Sequence, residues 1–310
     1  MSVAFLCPGQ GAQRRGFLHA LVSHPEKERT LAEANELLGE DVLALDSPRA
    51  LESTVAVQLA VVTAGVATAR VLQALRAEPD YVAGMSVGAF TAAVVCGALE
   101  FRDALELVRV RAQLMAAAYP RGYGLGAVSG LSESVVRELV RQTHASGSPV
   151  FLANLNGPTQ FVIAGSDIGI SSCFARALEA GARSAARLEV SVPSHCELLA
   201  GVARELALRI APVRMERARI PYVANVSARP TCDAEVIRND LASNVMHPVK
   251  WHDATRVIYE LGTRVFLELP PGRALSDLAA AAFPEARAMA VADSSIASAI
   301  HLIGLERHKE

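Results

Sequence analysis

Hydrophobic residues in this chain fall into short continuous runs closed by glycine or proline, alternating with longer stretches of helical spacing. Residues 3–7, Val-Ala-Phe-Leu-Cys, are uninterrupted and apolar and predict a buried strand ending at Pro8-Gly9-Gln10-Gly11-Ala12-Gln13. Residues 51–76 are rich in Ala, Val and Leu and too long for a strand, which predicts a buried helix. A second short apolar run, Tyr81-Val82-Ala83, leads into Gly84-Met85-Ser86-Val87-Gly88. Small and apolar residues then continue to about Leu99 and predict a helix. A further helix is expected over 101–118, carrying Arg109 and Arg111, before Gly122, Gly124 and Gly126 punctuate the chain.

The next block changes rhythm. Residues 126–129 predict a strand, 132–144 a helix, and 150–155 and 160–164 two strands joined by the turn Asn156-Gly157-Pro158-Thr159. A helix over 168–180 and a strand over 185–190 complete the order βαββαβ, the ferredoxin-like arrangement. This block is expected to form a small subdomain, residues 122–190, inserted into a core made of residues 1–121 and 191–310. After it, Ser194-His195-Cys196-Glu197 is expected to open a helix to about 210. A strand over 220–226, a helix over 252–261 and a strand over 264–269 follow, before Pro270-Pro271-Gly272. Alternation of strand and helix outside the insert predicts an α/β core with a largely parallel sheet. In such sheets ligands bind at the carboxyl ends of strands, and Gln10, Ser86 and Pro270 all lie just past predicted strand ends.

Composition narrows the class. With 51% hydrophobic and 20% charged residues, the 310-residue chain has ample material for a core and is not of a disordered type. A formal charge of −2 argues against nucleic acid as the main partner. No run of about 18 uninterrupted apolar residues predicts a membrane span. Residues 1–5 enter a strand directly, without the basic region of a signal peptide. Five scattered cysteines without Cys-x-x-Cys spacing fit a reduced, cytoplasmic protein and argue against a zinc site.

The chemistry centres on Gly84-x-Ser86-x-Gly88 between a strand and a helix, the pattern of a nucleophile elbow. The turn is so tight that side chains two residues either side of the serine would collide, and glycine removes them. The serine hydroxyl then stands at a helix N-terminus, where the Val87 N–H faces any charge developing on a bound carbonyl. A structural tight turn is the bland alternative. Of the eight histidines, His19, His24, His144, His301 and His308 lie in polar or terminal stretches. His247 and His252 flank Pro248-Val249-Lys250-Trp251 but lack a third metal ligand nearby. His195 follows an apolar strand on the expected edge of Ser86 and is the candidate base. Gly9-Gln10-Gly11 lacks the third glycine of a dinucleotide loop, since Arg14 stands there; close backbone approach to a ligand oxygen suits it better. Arg111 sits among Leu107, Val108, Val110 and Leu114, so it needs a partner, either an internal salt bridge or a substrate carboxylate held by its planar fork.

Together these pieces resemble the malonyl-CoA:acyl-carrier-protein transacylase family over nearly the whole chain. The resemblance rests on Pro8-Gly9-Gln10-Gly11-Ala12-Gln13, Gly84-x-Ser86-x-Gly88, Arg111 in Val110-Arg111-Ala112-Gln113, Ser191-Val192-Pro193-Ser194-His195-Cys196, Val223-Ala224-Asn225-Val226 and His247-Pro248-Val249-Lys250-Trp251. It implies a hydrolase-like core beside the small insert. It also implies roles: Ser86 as nucleophile, His195 as general base, Arg111 on the malonyl carboxylate, and the N–H groups of Gln10 and Val87 as oxyanion hole. A main-chain carbonyl would orient the base, matched here to Lys250. No metal or bound cofactor is implied. Malonyl-CoA is the implied substrate and the pantetheine-type thiol of an acyl carrier protein the acceptor.

Gly88-Ala89-Phe90, residues 13–21, Arg121-Gly122-Tyr123-Gly124-Leu125 and Phe151-Leu152-Ala153-Asn154 look closest to the malonyl transferase (epsilon) subunit of malonate decarboxylase. That would make other decarboxylase subunits partners. Other readings are a transacylase of fatty-acid or polyketide synthesis, a serine thioesterase or esterase, and a non-catalytic carrier-docking subunit. Three positions depart from the family: Met85 where histidine is usual, Lys250 where glutamine is common, and Pro270 in place of glycine. Exposed Arg14, Arg15 and Arg121 are candidate contacts for an acidic carrier.

Overall fold

A computed structural model describes residues 2–119 and 121–307. The strand β1 (Ser2–Cys7) is buried almost throughout. It is followed by α1 (Pro25–Leu38), α2 (Thr54–Ala74), β2 (Tyr81–Gly84), α3 (Gly88–Val95) and α4 (Phe101–Ala118). The insert then runs β3 (Tyr123–Ser129), α5 (Glu133–Ala145), β4 (Val150–Gly157), β5 (Gln160–Ser166), α6 (Asp167–Glu179) and β6 (Ser184–Arg187). The rest comprises α7 (Ala200–Ile210), β7 (Tyr222–Val223), β8 (Pro230–Thr231), α8 (Ala234–Ser243), α9 (Trp251–Glu260), β9 (Thr263–Glu268), α10 (Ala274–Ala282), β10 (Arg287–Ala290) and α11 (Ile296–Arg307).

Two sheets organise these elements. The first has the order β10-β9-β1-β2-β7-β8 and is parallel except for β8. β1 lies at its centre, with β2 on one side and β9 on the other. Successive segments of chain therefore leave β1 in opposite directions, which opens a crevice above its carboxyl end. The loop 8–13, the elbow after β2 and the start of α10 after β9 border that crevice, while Pro270 and Pro271 line a separate one. The second sheet is antiparallel, with the order β4-β5-β3-β6, and α5 and α6 pack together on it. Its element order is the βαββαβ run expected from the pattern. The second sheet meets the core at the segment just before α9, where Val249 N–H donates to Ala153 O (2.9 Å) and Leu155 N–H to Val249 O (2.8 Å).

Helix α2 explains the long apolar stretch. It packs among α1, α3 and α4, and residues from Ala56 to Leu72 are buried with one half-buried exception, Arg70. Arg70 instead reaches Glu33 at 2.8 Å and lies over the Phe101 ring. By length and composition α2 could cross a membrane, but 89% of its most apolar window is buried inside the fold. Its apolar surface is used in packing.

Several boundaries differ from the pattern. The expected strand over 220–226 is only two residues long, because the Ala224 and Asn225 N–H groups turn to Arg229 O and the Asp240 carboxylate instead of continuing the ladder. The strand expected over 185–190 ends at Arg187, and residues after it run irregularly to Cys196. The helix expected from Ser194 begins as a single 3-10 turn over Glu197–Leu199. Helices α1, α8, α10 and α11 were not anticipated. Yet α1 carries recognisable punctuation, with Pro25 in its first turn, His24 as N-cap and Gly39 in left-handed conformation at its end.

Candidate active site

The elbow has the strain its sequence implies. Ser86 adopts φ 57, a left-handed conformation unfavourable for a residue with a side chain. A Cβ on Gly84 would stand 2.1 Å from Gly88 O, and one on Gly88 would stand 2.1 Å from Cys7 O. Glycine at both positions is therefore a steric requirement. Ser86 is left at the entrance to α3, with its hydroxyl facing the crevice.

Neighbouring groups clamp this turn. The Ser86 N–H donates to Asn225 Oδ1 (3.0 Å), and Asn225 Nδ2 donates to Gly84 O (2.9 Å). One side-chain amide thus satisfies both sides of the elbow. The buried carboxylate of Asp240 holds Asn225 in turn, accepting from its N–H (3.0 Å), from the Tyr222 hydroxyl (2.6 Å) and from the Val226 N–H (3.0 Å). Burial pushes the Asp240 carboxyl up from its ordinary range, against those hydrogen bonds. The motif Val223-Ala224-Asn225-Val226 does not by itself assign Asn225 this task. An amide just past a short apolar strand was the available signal.

His195 reaches the elbow from the irregular segment after the insert. Its Nε2 lies 2.8 Å from Ser86 Oγ and its Nδ1 lies 2.7 Å from Asn244 O. A carbonyl can only accept, so Nδ1 carries the proton and Nε2 presents its lone pair to the serine hydroxyl. The carbonyl at this position is that of Asn244. Lys250, to which the resemblance matched it, sits at the start of α9 with its N–H donating to Asn225 O (3.0 Å). The misassignment has a local cause: the 3-10 turn Asn244–Met246 brings an earlier carbonyl to the ring. His195 also has a left-handed backbone, φ 64, and its N–H donates to Val245 O (2.7 Å). Burial, with the nearby Arg111, pushes the imidazole down to about 4, against the pull of the Asn244 and His247 backbones.

Arg111 is 1% exposed. Its Nη1 donates to Gln58 Oε1 (2.5 Å) and its Nη2 to Ser86 Oγ (3.2 Å), while Nε has no hydrogen-bond partner. No described carboxylate pairs with it, which removes the internal salt-bridge reading. Burial lowers its pKa to about 9, so it remains charged at neutral pH. Gln58 was not singled out from the sequence. Its signal was a lone amide within the apolar run Val55-Ala56-Val57-Gln58-Leu59-Ala60.

Ser86, His195, Arg111 and Gln58 line one cavity of about 450 Å³. Gln10 and Val87 border it, as do Met85, Met115, Asn154, Asn156 and Ser194. Gln10 Oε1 accepts from Thr54 Oγ1 (2.7 Å), which ties the loop after β1 to the start of α2. Ala89 is buried in α3 and lies off the cavity. His252 stacks near Phe283, away from the site. Arg14 reaches Ala292 O (3.2 Å) and Asp293 at the surface, and Arg15 and Arg121 are exposed. A strained serine, a correctly tautomeric histidine and a buried cation beside them are equipped for acyl transfer through a serine ester, with a preference for an acyl group bearing a negative charge.

Comparison with known proteins agrees. Residues 4–300 match the acyl transferase domain family. The chain is 36% identical over 281 residues to the malonyl CoA-acyl carrier protein transacylase of Salmonella typhimurium, covering 89% of this chain and 91% of that protein. It is 32% identical over 296 residues to the same-named protein of Bacillus subtilis, covering 94% and 93%. The solved transacylase of Coxiella burnetii superposes with a TM-score of 0.93 at 33% identity, covering 98% of this chain and 97% of that one. A malonyl-transacylase solved in complex with a type II polyketide acyl-carrier protein superposes with the same score at 34% identity, covering 97% and 100%. The chain is an acyltransferase and belongs to the malonyl-CoA:acyl-carrier-protein transacylase family.

Proposed function

We propose that this enzyme moves a malonyl group from CoA to the pantetheine-type thiol of an acyl carrier protein. The observation that carries this reading is Arg111, a buried guanidinium without a carboxylate partner among the described residues, 3.2 Å from the nucleophile. A malonyl carboxylate would satisfy it, and an uncharged acyl group would leave it unpaired.

The distances among Ser86, His195 and Arg111 support a two-step mechanism. His195 Nε2 takes the Ser86 proton as Oγ attacks the thioester carbonyl. The Gln10 and Val87 N–H groups receive the developing oxyanion, a contribution of about 3–4 kcal/mol per donor in comparable sites. The carbon–sulfur bond breaks, His195 returns the proton to the departing CoA sulfur, and malonyl-Ser86 remains. The carrier thiol then gives its proton to His195 and attacks the ester, and the serine leaves with that proton. This is ping-pong kinetics.

Relatives named for transacylase activity and for polyketide biosynthesis support a carrier of fatty-acid or polyketide type; the latter protein, from Burkholderia thailandensis, is 37% identical over 290 residues, a match that covers 91% of this chain and 24% of that protein. The malonate decarboxylase carrier is the alternative acceptor, supported by Ala89 and the accompanying sequence details. Parallel transfer assays with the two carriers decide between them. Intact mass after mixing with malonyl-CoA should show one malonyl adduct on the wild type and none on Ser86→Ala. An unmodified wild type, or an adduct that survives the substitution, overturns the proposal. Rapid release of free malonate without transfer to any thiol would instead favour a thioesterase.

A further inference from the structure

Arg111 and His195 converge on one atom. Nη2 of Arg111 lies 3.2 Å and Nε2 of His195 2.8 Å from Ser86 Oγ, so no more than about 6 Å separates the two groups. Both are buried, at 1% and 2% exposure. A proton arriving on His195 would therefore place a second positive charge beside a guanidinium whose protein contacts, Gln58 and Ser86, are neutral. Like charges at this range in a closed site disfavour one another strongly.

We infer that the carboxylate of the acyl group, by seating on Arg111, strengthens His195 as a base, so that the malonyl substrate raises the reactivity of the enzyme that transfers it. The inference rests on the malonyl reading of Arg111 and adds a second consequence to it. Before the carboxylate binds, the guanidinium suppresses the proton affinity of the imidazole. Burial acts in the same direction and is the larger cause. Such a base is always deprotonated near neutral pH but pulls weakly on the serine proton. Pairing the guanidinium removes the repulsion. The imidazole gains proton affinity while remaining below neutrality, so its driving force rises without loss of its reactive form. An acetyl group leaves the repulsion in place. Discrimination then operates at the chemical step as well as in binding.

Other charges around His195 do not supply this effect. Arg187 and Glu189 line the same cavity, but both are exposed and opposite in sign. Glu197 is exposed and borders a neighbouring groove with Arg137 and Arg141. The Cys196 thiol is pushed up to about 12 by burial and stays neutral. Asn244 and His247 act through their backbones.

The test is a titration of His195 by NMR in the Ser86→Ala protein, which keeps Arg111 but cannot be acylated. A His195→Gln variant assigns the resonance. With saturating malonyl-CoA the His195 pKa should rise by about 1–2 units relative to acetyl-CoA. In Ser86→Ala/Arg111→Gln the two ligands should give the same value. Pre-steady-state CoA release from the wild type provides a second readout: the acid limb of the acylation rate should have a higher midpoint with malonyl-CoA than with acetyl-CoA. Equal values for the two ligands, with the malonyl adduct still forming on wild-type Ser86, overturn this inference and leave the malonyl reading intact. Absence of that adduct overturns both.

Discussion

Ser86 and His195 each hold a left-handed backbone, and in each the N–H is held by a hydrogen bond to a distant segment. Ser86 donates to Asn225 and His195 to Val245. Strain of this kind costs on the order of 1–3 kcal/mol per residue and persists where the surroundings over-determine it. The return is a hydroxyl and an imidazole set 2.8 Å apart. Arg111 sets the acyl preference beside them. Arg111→Ala should lower kcat/KM for malonyl transfer by about 100-fold or more, since the substrate carboxylate would lose its buried partner. Acetyl transfer, during which the guanidinium stays unpaired and holds down the His195 proton affinity, should not fall. Equal losses in a paired assay of the two thioesters would make Arg111 a structural residue.

Elements matter because they hold these side chains still. The clamp from Asp240 through Asn225 ties the loop after β7 to the elbow after β2. Asn225→Ala should reduce kcat by about 10- to 100-fold with little change in KM, because misplacement of the nucleophile is felt in the chemical step. It should also lower stability by about 1–3 kcal/mol by orphaning the Ser86 N–H. Denaturant melts and steady-state kinetics check the two parts. Glu268, at the end of β9, plays a similar part for α10, whose residues Ala274 and Leu275 line the cavity. Its Oε2 accepts from the Ser276 N–H (2.7 Å), while Oε1 is buried without a partner. Burial raises its pKa from 4.5 to about 7. The folded state thus binds a proton that the unfolded state releases, and stability falls as pH rises from 4.5 through about 7. Glu268→Gln keeps an acceptor for Ser276 without the charge. Its melting temperature should exceed that of the wild type at pH 8, with the gap closing by pH 5. A pH-independent gap would remove the carboxylate from this account.

Over the whole molecule, the site is a meeting of distant segments. The loop after β1, the elbow, α2, α4, the insert and the segment 188–196 all contribute to the cavity. Its floor and its serine were legible in the sequence, because a buried strand, a glycine-flanked serine and a helix are local patterns set by steric and hydrophobic rules. The apolar stretch of α2, the span of α4 and the βαββαβ order of the insert were legible for the same reason. Segments whose conformation depends on a remote partner were not. The short β7 could not be foreseen from 220–226, since Asp240 on α8 captures the N–H groups of Asn225 and Val226 that would have extended it. The Asn244 carbonyl could not be identified from spacing, since a 3-10 turn decides which oxygen reaches His195. The sequence by itself determined the strained nucleophile, the α/β order and the presence of a cation that needed a partner. Only the tertiary structure decided that no carboxylate among the described residues pairs with Arg111, that Gln58 and Asn225 hold the reactive groups in place, and that guanidinium and imidazole meet at one oxygen. Those are long-range contacts between elements, and burial gives them their electrostatic strength.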